Sequence, residues 1–138
     1  MYDRYKRKIN YLRVSVTDRC NLRCTYCMPA EGVQLTDHTD ILRFHEITDV
    51  VKYAVSQGVD KVRITGGEPL VRKGIVNLIK LISEIKGIKD LGMTTNGLLL
   101  DKYAKNLADA GLHRVNISLD TLDPAKYNQI TRIGDINQ

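Results

Sequence analysis

Apolar and polar residues alternate in four short segments of the chain, and a period of two is typical of β-strands with one buried face. The segments are residues 12–17, 61–65, 90–95 and 114–119. Between them lie stretches whose apolar residues recur every three to four positions, which is the period of a helix that buries one side. We therefore predict helices over residues 44–57, 71–85 and 102–110, and a fourth helix that begins at Pro124.

This order of elements predicts an α/β fold with parallel strands, because a parallel pair needs a crossover connection between its strands. Strands of a fully covered parallel sheet are usually apolar throughout, but each strand here has a polar side that includes Arg13 and Arg63. We expect outer helices on the apolar faces and polar faces that line one concavity, as in a half-barrel. Arginines there favour a charged ligand, since they are costly to bury without an anion. An antiparallel sheet with a wet face is the alternative, and the helices argue against it.

The composition and net charge of the chain narrow the classes of molecule that it is expected to bind. The chain has 138 residues, enough for one domain, and its 21 Lys and Arg against 16 Asp and Glu give a net charge of +5. This balance favours an anionic partner, whether a nucleotide, a nucleic acid or an acidic protein. Residues 1–16 are basic and strand-like, unlike a signal peptide or a membrane span. We expect a reducing cytoplasmic setting and no membrane partner.

All three cysteines of the chain, Cys20, Cys24 and Cys27, form a CxxxCxxC pattern. Closely spaced thiolates are typical ligands of iron–sulfur clusters, and an odd number of cysteines argues against a disulfide framework. Three protein ligands would leave one corner of a cluster open to another molecule. A zinc site completed by His38 or His45 is the alternative, since structural zinc sites are closed by four protein ligands.

Polar loop motifs follow each predicted strand, where parallel α/β folds place their ligand-binding residues. The first strand runs into the cysteine loop, and the second ends at residues 66–69, whose two glycines permit close backbone approach and whose Glu68 supplies a carboxylate. The third ends in residues 94–97 and the fourth in residues 118–120. Each motif alone is a weak signal. Their succession beside three cysteines indicates one binding site at this edge of the sheet.

Together these motifs resemble those of the radical S-adenosylmethionine (SAM) superfamily. The resemblance rests on the cysteine pattern, with Tyr26 before the last cysteine, and on the GGEP sequence at residues 66–69. Longer strings are similar to a narrower family, the GTP 3′,8-cyclases of molybdenum-cofactor biosynthesis. These strings are LRVSVTDRCNLRC, YCMP, RITGGEPL, TTNG and NISLD. One departure is Lys6, which stands where that family usually has a glycine before an arginine.

The resemblance implies that residues 1–138 are the N-terminal part of a radical SAM core domain. Its fold would be a partial (β/α) barrel of parallel strands with outer helices, truncated after about the fourth strand. Family members are more than twice as long as this chain. Their additional part carries a second three-cysteine cluster that contacts GTP, whereas this chain has no further cysteine. The sequence is compatible with a fragment of a longer protein and with one half of a split enzyme. It does not decide whether the chain is active alone.

The resemblance also implies roles for individual residues. The ligands of a [4Fe–4S] cluster, whose open iron binds the amino and carboxylate groups of SAM, would be Cys20, Cys24 and Cys27. The residues expected at SAM are Tyr26, Gly66, Gly67, Glu68, Pro69 and Ser118. The residues expected to hold GTP are Arg13, Arg63 and Thr94, all on the polar strand faces. No side chain is assigned as a catalytic acid, base or nucleophile.

The implied activity is reductive cleavage of SAM to methionine and a 5′-deoxyadenosyl radical. That radical takes hydrogen from C3′ of GTP, and C3′ then closes onto C8 of guanine to give (8S)-3′,8-cyclo-7,8-dihydroguanosine 5′-triphosphate. The implied partners are an electron donor such as flavodoxin or ferredoxin and a downstream cyclic pyranopterin monophosphate synthase; a homodimer is also allowed. The alternatives are a radical SAM enzyme acting on peptide or tRNA, and a non-catalytic iron–sulfur or nucleic-acid-binding fragment.

Overall fold

The computed structural model describes residues 2–37 and 39–137. Its centre is one sheet of four parallel strands in the order β1-β2-β3-β4. The strands are β1 (Tyr11–Ser15), β2 (Lys61–Thr65), β3 (Asp90–Thr95) and β4 (Arg114–Ile117). The α-helices are α1 (Phe44–Ser56), α2 (Ile75–Ser83), α3 (Leu100–Asp109) and α4 (Pro124–Thr131). The predicted α/β fold with parallel strands is confirmed.

Local sequence signals set the ends of the helices. At α4, Pro124 occupies the first turn, where it needs no hydrogen-bond partner, and the Asp123 carboxylate accepts the N–H groups of Ala125 and Lys126 at 2.9 and 3.2 Å. The predicted start of α2 at residue 71 is wrong. A short 3₁₀ helix (Pro69–Val71) comes first, and Gly74 has φ 81°, so the α-helix begins only after that glycine.

The hydrophobic core lies between the sheet and helices α1 to α3. The apolar sides of β2 and β3 are fully buried there, through Val62, Ile64, Leu91 and Met93. The helices contribute Ile47, Val51, Leu78, Ile79, Ile82 and Leu107. Since side chains alternate between faces along a strand, Arg63 of β2 and Thr94 of β3 point to the opposite side, whereas the polar Thr95 is buried on the side of Leu91 and Met93.

The polar sides of the four strands share one face. Arg13 of β1 lies in register with Arg63 of β2, which pairs with Gly92 of β3, and Gly92 pairs with Arg114 of β4. Neighbours in register point to the same side of a sheet. The prediction of a common polar face is therefore confirmed, and this face is free of helices α1 to α3.

The last strand departs from the prediction. The apolar residues Val115 and Ile117 of β4 are 37% and 54% exposed, so the expectation that helices cover every apolar face is wrong for this strand. The reason is the position of α4, which lies against the cysteine loop after β1. The N–H of Arg23 donates to the carbonyl of Thr131 in α4 at 3.1 Å.

At the N-terminal end, Lys6 lies in a tight turn with φ 63°. The carboxylate of Asp3 closes this turn by accepting the N–H groups of Tyr5 and Arg7 at 2.8 and 2.9 Å. Glycine adopts a positive φ without strain, so Lys6 has a backbone conformation that would suit a glycine. Among the helices that the structure describes, none has the length and apolar character needed to span a bilayer.

Candidate functional site

A cavity of about 220 Å³ lies at the carboxyl ends of the strands. It brings together the cysteine loop and the loops after β2, β3 and β4. Its walls are formed by Cys20, Leu22, Cys24, Tyr26, Cys27, Thr65, Gly66, Gly67, Glu68, Thr94, Thr95, Asn96 and Ser118. Three of the predicted site residues lie outside this wall, namely Arg13, Arg63 and Pro69.

The cysteine loop is shaped by its own backbone. The N–H groups of Cys27 and Met28 both donate to the carbonyl of Cys24, at 2.9 and 3.1 Å, which turns the chain sharply. The N–H of Leu22 donates to the sulfur of Cys20 at 3.4 Å. Cys20 and Cys24 are half-buried and Cys27 is exposed. The turn brings Cys24 and Cys27 close together, and all three cysteines line the same cavity.

The end of α4 and the residue that follows it hold the cysteine loop in place. The guanidinium of Arg132 donates through Nη1 to the carbonyls of Arg23 and Met28, at 2.9 and 2.8 Å. The carbonyl of Ile130 accepts the N–H of Thr25 at 2.9 Å. A single arginine thus satisfies backbone carbonyls on both sides of Cys24. Sequence reasoning did not find Arg132, because no local pattern marks a contact across more than a hundred residues.

Burial raises the pKa of the Cys20 and Cys24 thiols above the ordinary value of 9.0. Both thiols therefore carry their protons at neutral pH in the metal-free chain. Metal ligation requires thiolates, so metal binding here must release protons.

The donor set fits an iron–sulfur cluster, because three thiols face one cavity and cysteine thiolates are the usual ligands of such clusters. Among residues 2–37 and 39–137, no three side chains of His, Cys, Asp or Glu converge on a point that would hold one metal ion. Of the candidates for a zinc site, His45 is exposed at the start of α1 and does not line the cavity. His38 lies outside the described residues.

The two glycines after β2 make room for the cysteine loop. The N–H of Gly67 donates to the carbonyl of Thr17 at 2.7 Å. A Cβ on Gly66 would lie 2.6 Å from that carbonyl oxygen, and a Cβ on Gly67 would collide with the carbonyl oxygen of Arg19. The backbone before Cys20 fills the space on one side of these glycines. Both glycines also line the cavity, so the expectation that they permit close approach of a ligand stays a prediction.

Glu68 is a buried carboxylate, 1% exposed, that joins two loops. Its Oε1 accepts the N–H of Leu70 at 3.0 Å and the hydroxyl of Thr95 at 2.8 Å, and its Oε2 accepts the N–H of Asn96 at 2.7 Å. Glu68 forms no ion pair within the described part of the chain. The next residue, Pro69, is buried behind the cavity and begins the 3₁₀ helix.

A hydrogen bond between the cysteine loop and the segment after β4 borders the cavity on the side of β4. The hydroxyl of Tyr26 donates to Oδ2 of Asp120 at 2.9 Å. This hydrogen bond and the negative charge of the carboxylate raise the pKa of Tyr26, so the phenol keeps its proton. Ser118 is anchored by its N–H, which donates to the carbonyl of Thr95 at 2.9 Å. The predicted positions Tyr26 and Ser118 both belong to the wall of the cavity.

The predicted arginines lie on the polar face of the sheet rather than in the cavity wall. Nη1 of Arg63 is 3.5 Å from the hydroxyl of Thr94, which does line the cavity. Nε of Arg63 is buried and has no hydrogen-bond partner in the described structure. Neither Arg13 nor Arg63 belongs to an ion pair among these residues. Thr94 therefore connects the cationic face to the cavity.

A third arginine on this face was not predicted. Arg114 donates to both carboxylate oxygens of Asp90, at 2.9 and 2.7 Å, and to Oδ1 of Asn116 at 2.9 Å. Its side chain lies over Gly92, where no side chain obstructs it. Asp90 neutralises Arg114, so the uncompensated charge of the face is concentrated at β1 and β2.

Sequence comparison places these features among known proteins. The sequence model of the radical SAM superfamily matches residues 14–138. The GTP 3′,8-cyclase of Alkaliphilus oremlandii is 62% identical over 138 residues, and that of Petrotoga mobilis is 59% identical over 138 residues. Each alignment covers all of this chain and 43% of the relative. The chain thus spans about two fifths of the length of the curated relatives it matches.

Solved structures show the same architecture. Streptococcus suis SuiB bound to the precursor peptide SuiA is 26% identical, with a TM-score of 0.73 over 90% of this chain and 27% of SuiB. SuiB bound to SAM is 25% identical, with a TM-score of 0.70 over 90% of this chain and 28% of SuiB. HydG, a maturase of the [FeFe]-hydrogenase, is 20% identical, with a TM-score of 0.70 over 90% of this chain and 28% of HydG, and supports the fold alone. The parallel sheet, the cavity with three thiols and the match over residues 14–138 show that this chain belongs to the radical SAM superfamily, whose members bind an iron–sulfur cluster and SAM.

Proposed function

We propose that this chain is the cluster-binding and SAM-binding part of a GTP 3′,8-cyclase, with residues 1–138 as the N-terminal part of its core domain. The observation that carries the proposal is the convergence of all three thiols with the loops after β2, β3 and β4 on one cavity. Identity of 62% to a GTP 3′,8-cyclase over the whole chain supports the choice within the superfamily.

The cavity thiols are the proposed ligands of a [4Fe–4S] cluster, through Cys20, Cys24 and Cys27. The chemistry that the bound cluster supplies is one electron, with which SAM is cleaved to methionine and a 5′-deoxyadenosyl radical. The chain itself contributes the position of the thiols. The Arg132 guanidinium and the glycine loop hold the backbone on either side of them.

The proposed contacts to SAM come from the opposite wall. Glu68 can contribute directly, because its Oε2 accepts only one hydrogen bond within the described structure and a carboxylate oxygen can accept two. A ligand amino group is a suitable donor to the remaining position. The other proposed contacts are Tyr26, Gly66, Gly67 and Ser118, with Pro69 fixing the end of the glycine loop from behind.

The proposed GTP site is the cationic face beside the cavity. Arg13 and Arg63 present two guanidinium groups without a described carboxylate partner, and guanidinium groups bind phosphates through paired hydrogen bonds. Thr94 lies between this face and the cavity. Bound there, GTP would place its ribose toward the SAM site, as hydrogen removal from C3′ and closure onto C8 require. The proposed product is (8S)-3′,8-cyclo-7,8-dihydroguanosine 5′-triphosphate.

The same proposal includes partners. Reductive cleavage needs an external electron donor such as flavodoxin or ferredoxin, and the cyclised nucleotide would pass to a cyclic pyranopterin monophosphate synthase. Because the relatives are more than twice as long, we expect the 138 residues alone to bind the cluster and SAM and to fall short of product formation.

Peptide modification is the second candidate. SuiB, which is similar in fold at 26% identity, is bound to a precursor peptide. The cationic pair on β1 and β2 favours an anionic substrate instead, and the identity to the cyclases is far higher. Measuring the affinity of the chain for GTP and for the SuiA precursor peptide distinguishes the nucleotide substrate from the peptide substrate.

Anaerobic reconstitution with iron and sulfide tests the proposal. We expect about four iron atoms per chain and brown absorbance. After reduction with a chemical reductant we expect a [4Fe–4S] signal in electron paramagnetic resonance (EPR), and SAM cleavage with the same reductant. Cys24→Ala is expected to lose iron, absorbance and cleavage. Thr94→Val is the control, since it is expected to keep the cluster and weaken only GTP binding. Retained iron and cleavage in Cys24→Ala, or bound mononuclear zinc in the unaltered chain, would contradict the proposal.

A further inference from the structure

Asn96 connects the loop after β3 to the cysteine loop. Its Nδ2 lies 2.8 Å from Oδ1 of Asn21 and 4.0 Å from the sulfur of Cys20. Its Oδ1 accepts the N–H of Leu98 at 3.1 Å. The acceptor and the donor of the amide are therefore each oriented by a separate partner. In this orientation the amide N–H₂ faces the sulfur of Cys20.

The backbone of Asn96 is held by the buried carboxylate of Glu68. Oε2 of Glu68 accepts the N–H of Asn96 at 2.7 Å, while Oε1 binds the hydroxyl of the preceding residue, Thr95, at 2.8 Å. The N–H of Asn96 is the one donor that Oε2 has in the described structure, so a shift of the Asn96 backbone would leave that oxygen of a buried carboxylate without a partner, which is unfavourable. The N–H of Glu68 in turn donates to the carbonyl of Arg19 at 2.8 Å. Glu68 thus fixes Asn96 relative to the residue before Cys20.

The sulfur of Cys20 has a second N–H group beside it, that of Leu22 at 3.4 Å. Hydrogen bonds to the sulfurs are among the features that set the reduction potential of an iron–sulfur cluster. A cluster gains negative charge when it is reduced, so N–H groups directed at its ligand sulfur favour the reduced form. An N–H donor at Cys20 therefore shifts the midpoint potential in the positive direction.

We propose that Asn96 is a positioning residue for Cys20, which orients its sulfur and raises the reduction potential of the cluster bound there. The inference rests on the proposed function for the presence of the cluster and for the role of Cys20. It does not depend on which substrate the protein acts on. It extends the site to a residue that contacts a cluster ligand through its side chain and the buried Glu68 through its backbone.

Three variants test this role in the reconstituted chain. Asn96→Leu removes the donor at similar size. Asn96→Asp keeps an acceptor for the N–H of Leu98 and presents a negative charge to Cys20. Asn21→Ala removes only the acceptor that orients the amide and leaves Glu68 paired. Asn106→Leu on the exposed surface of α3 is the matched control.

The measurement is a potentiometric titration followed by EPR, with iron content and circular dichroism for each variant. We expect the midpoint potential to fall from unaltered chain to Asn96→Leu and further to Asn96→Asp, with a smaller fall in Asn21→Ala and none in Asn106→Leu. Unchanged midpoints in Asn96→Leu and Asn96→Asp, with the cluster retained, would overturn this inference alone. An unaltered chain without a redox-active cluster would overturn both the inference and the proposed function.

Discussion

Arg13 and Arg63 lie side by side in register on the parallel strands β1 and β2, and neither has a carboxylate partner within the described structure. Like charges directly opposite each other in a sheet are destabilising. The buried Nε of Arg63 adds an unpaired donor to this arrangement. A bound polyanion would satisfy both, which makes this pair the natural place to test GTP binding.

Replacement of Arg63 by leucine is therefore expected to weaken GTP binding and leave the fold intact. Loss of one charge-assisted contact of about 1.5–3 kcal/mol corresponds to a fall in affinity of about tenfold to a hundredfold. Isothermal titration with GTP and urea unfolding measure the two effects. Lys102→Leu on the exposed surface of α3 should change neither. Equal loss of affinity in both variants would assign the binding to net charge rather than to this face.

Two glycine-to-alanine variants distinguish the steric effect of an added Cβ from the general effect of replacing a glycine. In Gly67→Ala the new Cβ collides with the carbonyl oxygen of Arg19, and the 2.7 Å hydrogen bond from Gly67 to Thr17 must lengthen. Overpacking of this kind destabilises by about 1–3 kcal/mol, and we expect iron incorporation to fall with it. In Gly92→Ala the nearest atom is Cγ of Arg114 at 3.6 Å, an ordinary contact. Urea unfolding and iron content should therefore be nearly unchanged in Gly92→Ala.

Strands β2 and β3 could be predicted from the sequence because their alternation continues up to a loop signal. Residues 61–65 and 90–95 coincide with the observed strands, and the shared polar face followed from the same alternation. The thiols and the loop motifs could be placed on one cavity because parallel strands bring their carboxyl ends to one edge of the sheet.

The contacts between distant segments could not be predicted in this way. Helix α4 has a clear start signal at Pro124, but nothing local shows that it packs on the cysteine loop and leaves Val115 exposed. In the sequence, Asn96 and Gly97 predict only an ordinary Asn-Gly turn. The contact of Asn96 with Cys20 depends on the buried position of Glu68. Periodicity reports which face of an element is apolar, and it does not report what covers that face.

The Asp90–Arg114 pair predicts a pH dependence of stability. Hydrogen bonds from Arg114 are the main cause that lowers the pKa of Asp90 below its ordinary value of 3.8. The unfolded chain therefore binds the proton more readily, so the stabilisation is present above the ordinary pKa and is lost as pH falls through the lower folded value.

Asp90→Asn is expected to cost about 1 kcal/mol at neutral pH, because the pair is partly exposed. The difference from the unaltered chain should shrink below about pH 4, where the unfolded carboxyl becomes protonated. Urea unfolding at a series of pH values measures this difference. Glu84→Gln, at an exposed position without a described ion pair, should show no such trend. A penalty for Asp90→Asn that stays constant with pH would contradict the role of ionisation.

The Tyr26–Asp120 hydrogen bond predicts a separable effect on SAM binding. Tyr26 lies in the cavity wall next to two cysteines, yet its side chain is 67% exposed and is oriented by the carboxylate of Asp120. Since Asp120 raises the pKa of Tyr26, the phenol remains a hydrogen-bond donor at neutral pH. Tyr26→Phe removes this donor and leaves the ring free to move.

We expect Tyr26→Phe to retain its iron and to lose SAM affinity by about threefold to tenfold, which is the effect of one hydrogen bond of about 1 kcal/mol. Equilibrium dialysis with labelled SAM measures the affinity, and iron content reports the cluster. Asp120→Asn keeps an oxygen acceptor and should show a smaller loss, because the link then lacks only its charge. Tyr53→Phe, 70% exposed on α1, should bind SAM normally. SAM affinity that is the same in Tyr26→Phe and Tyr53→Phe would show that the ring is placed by the cysteine turn alone.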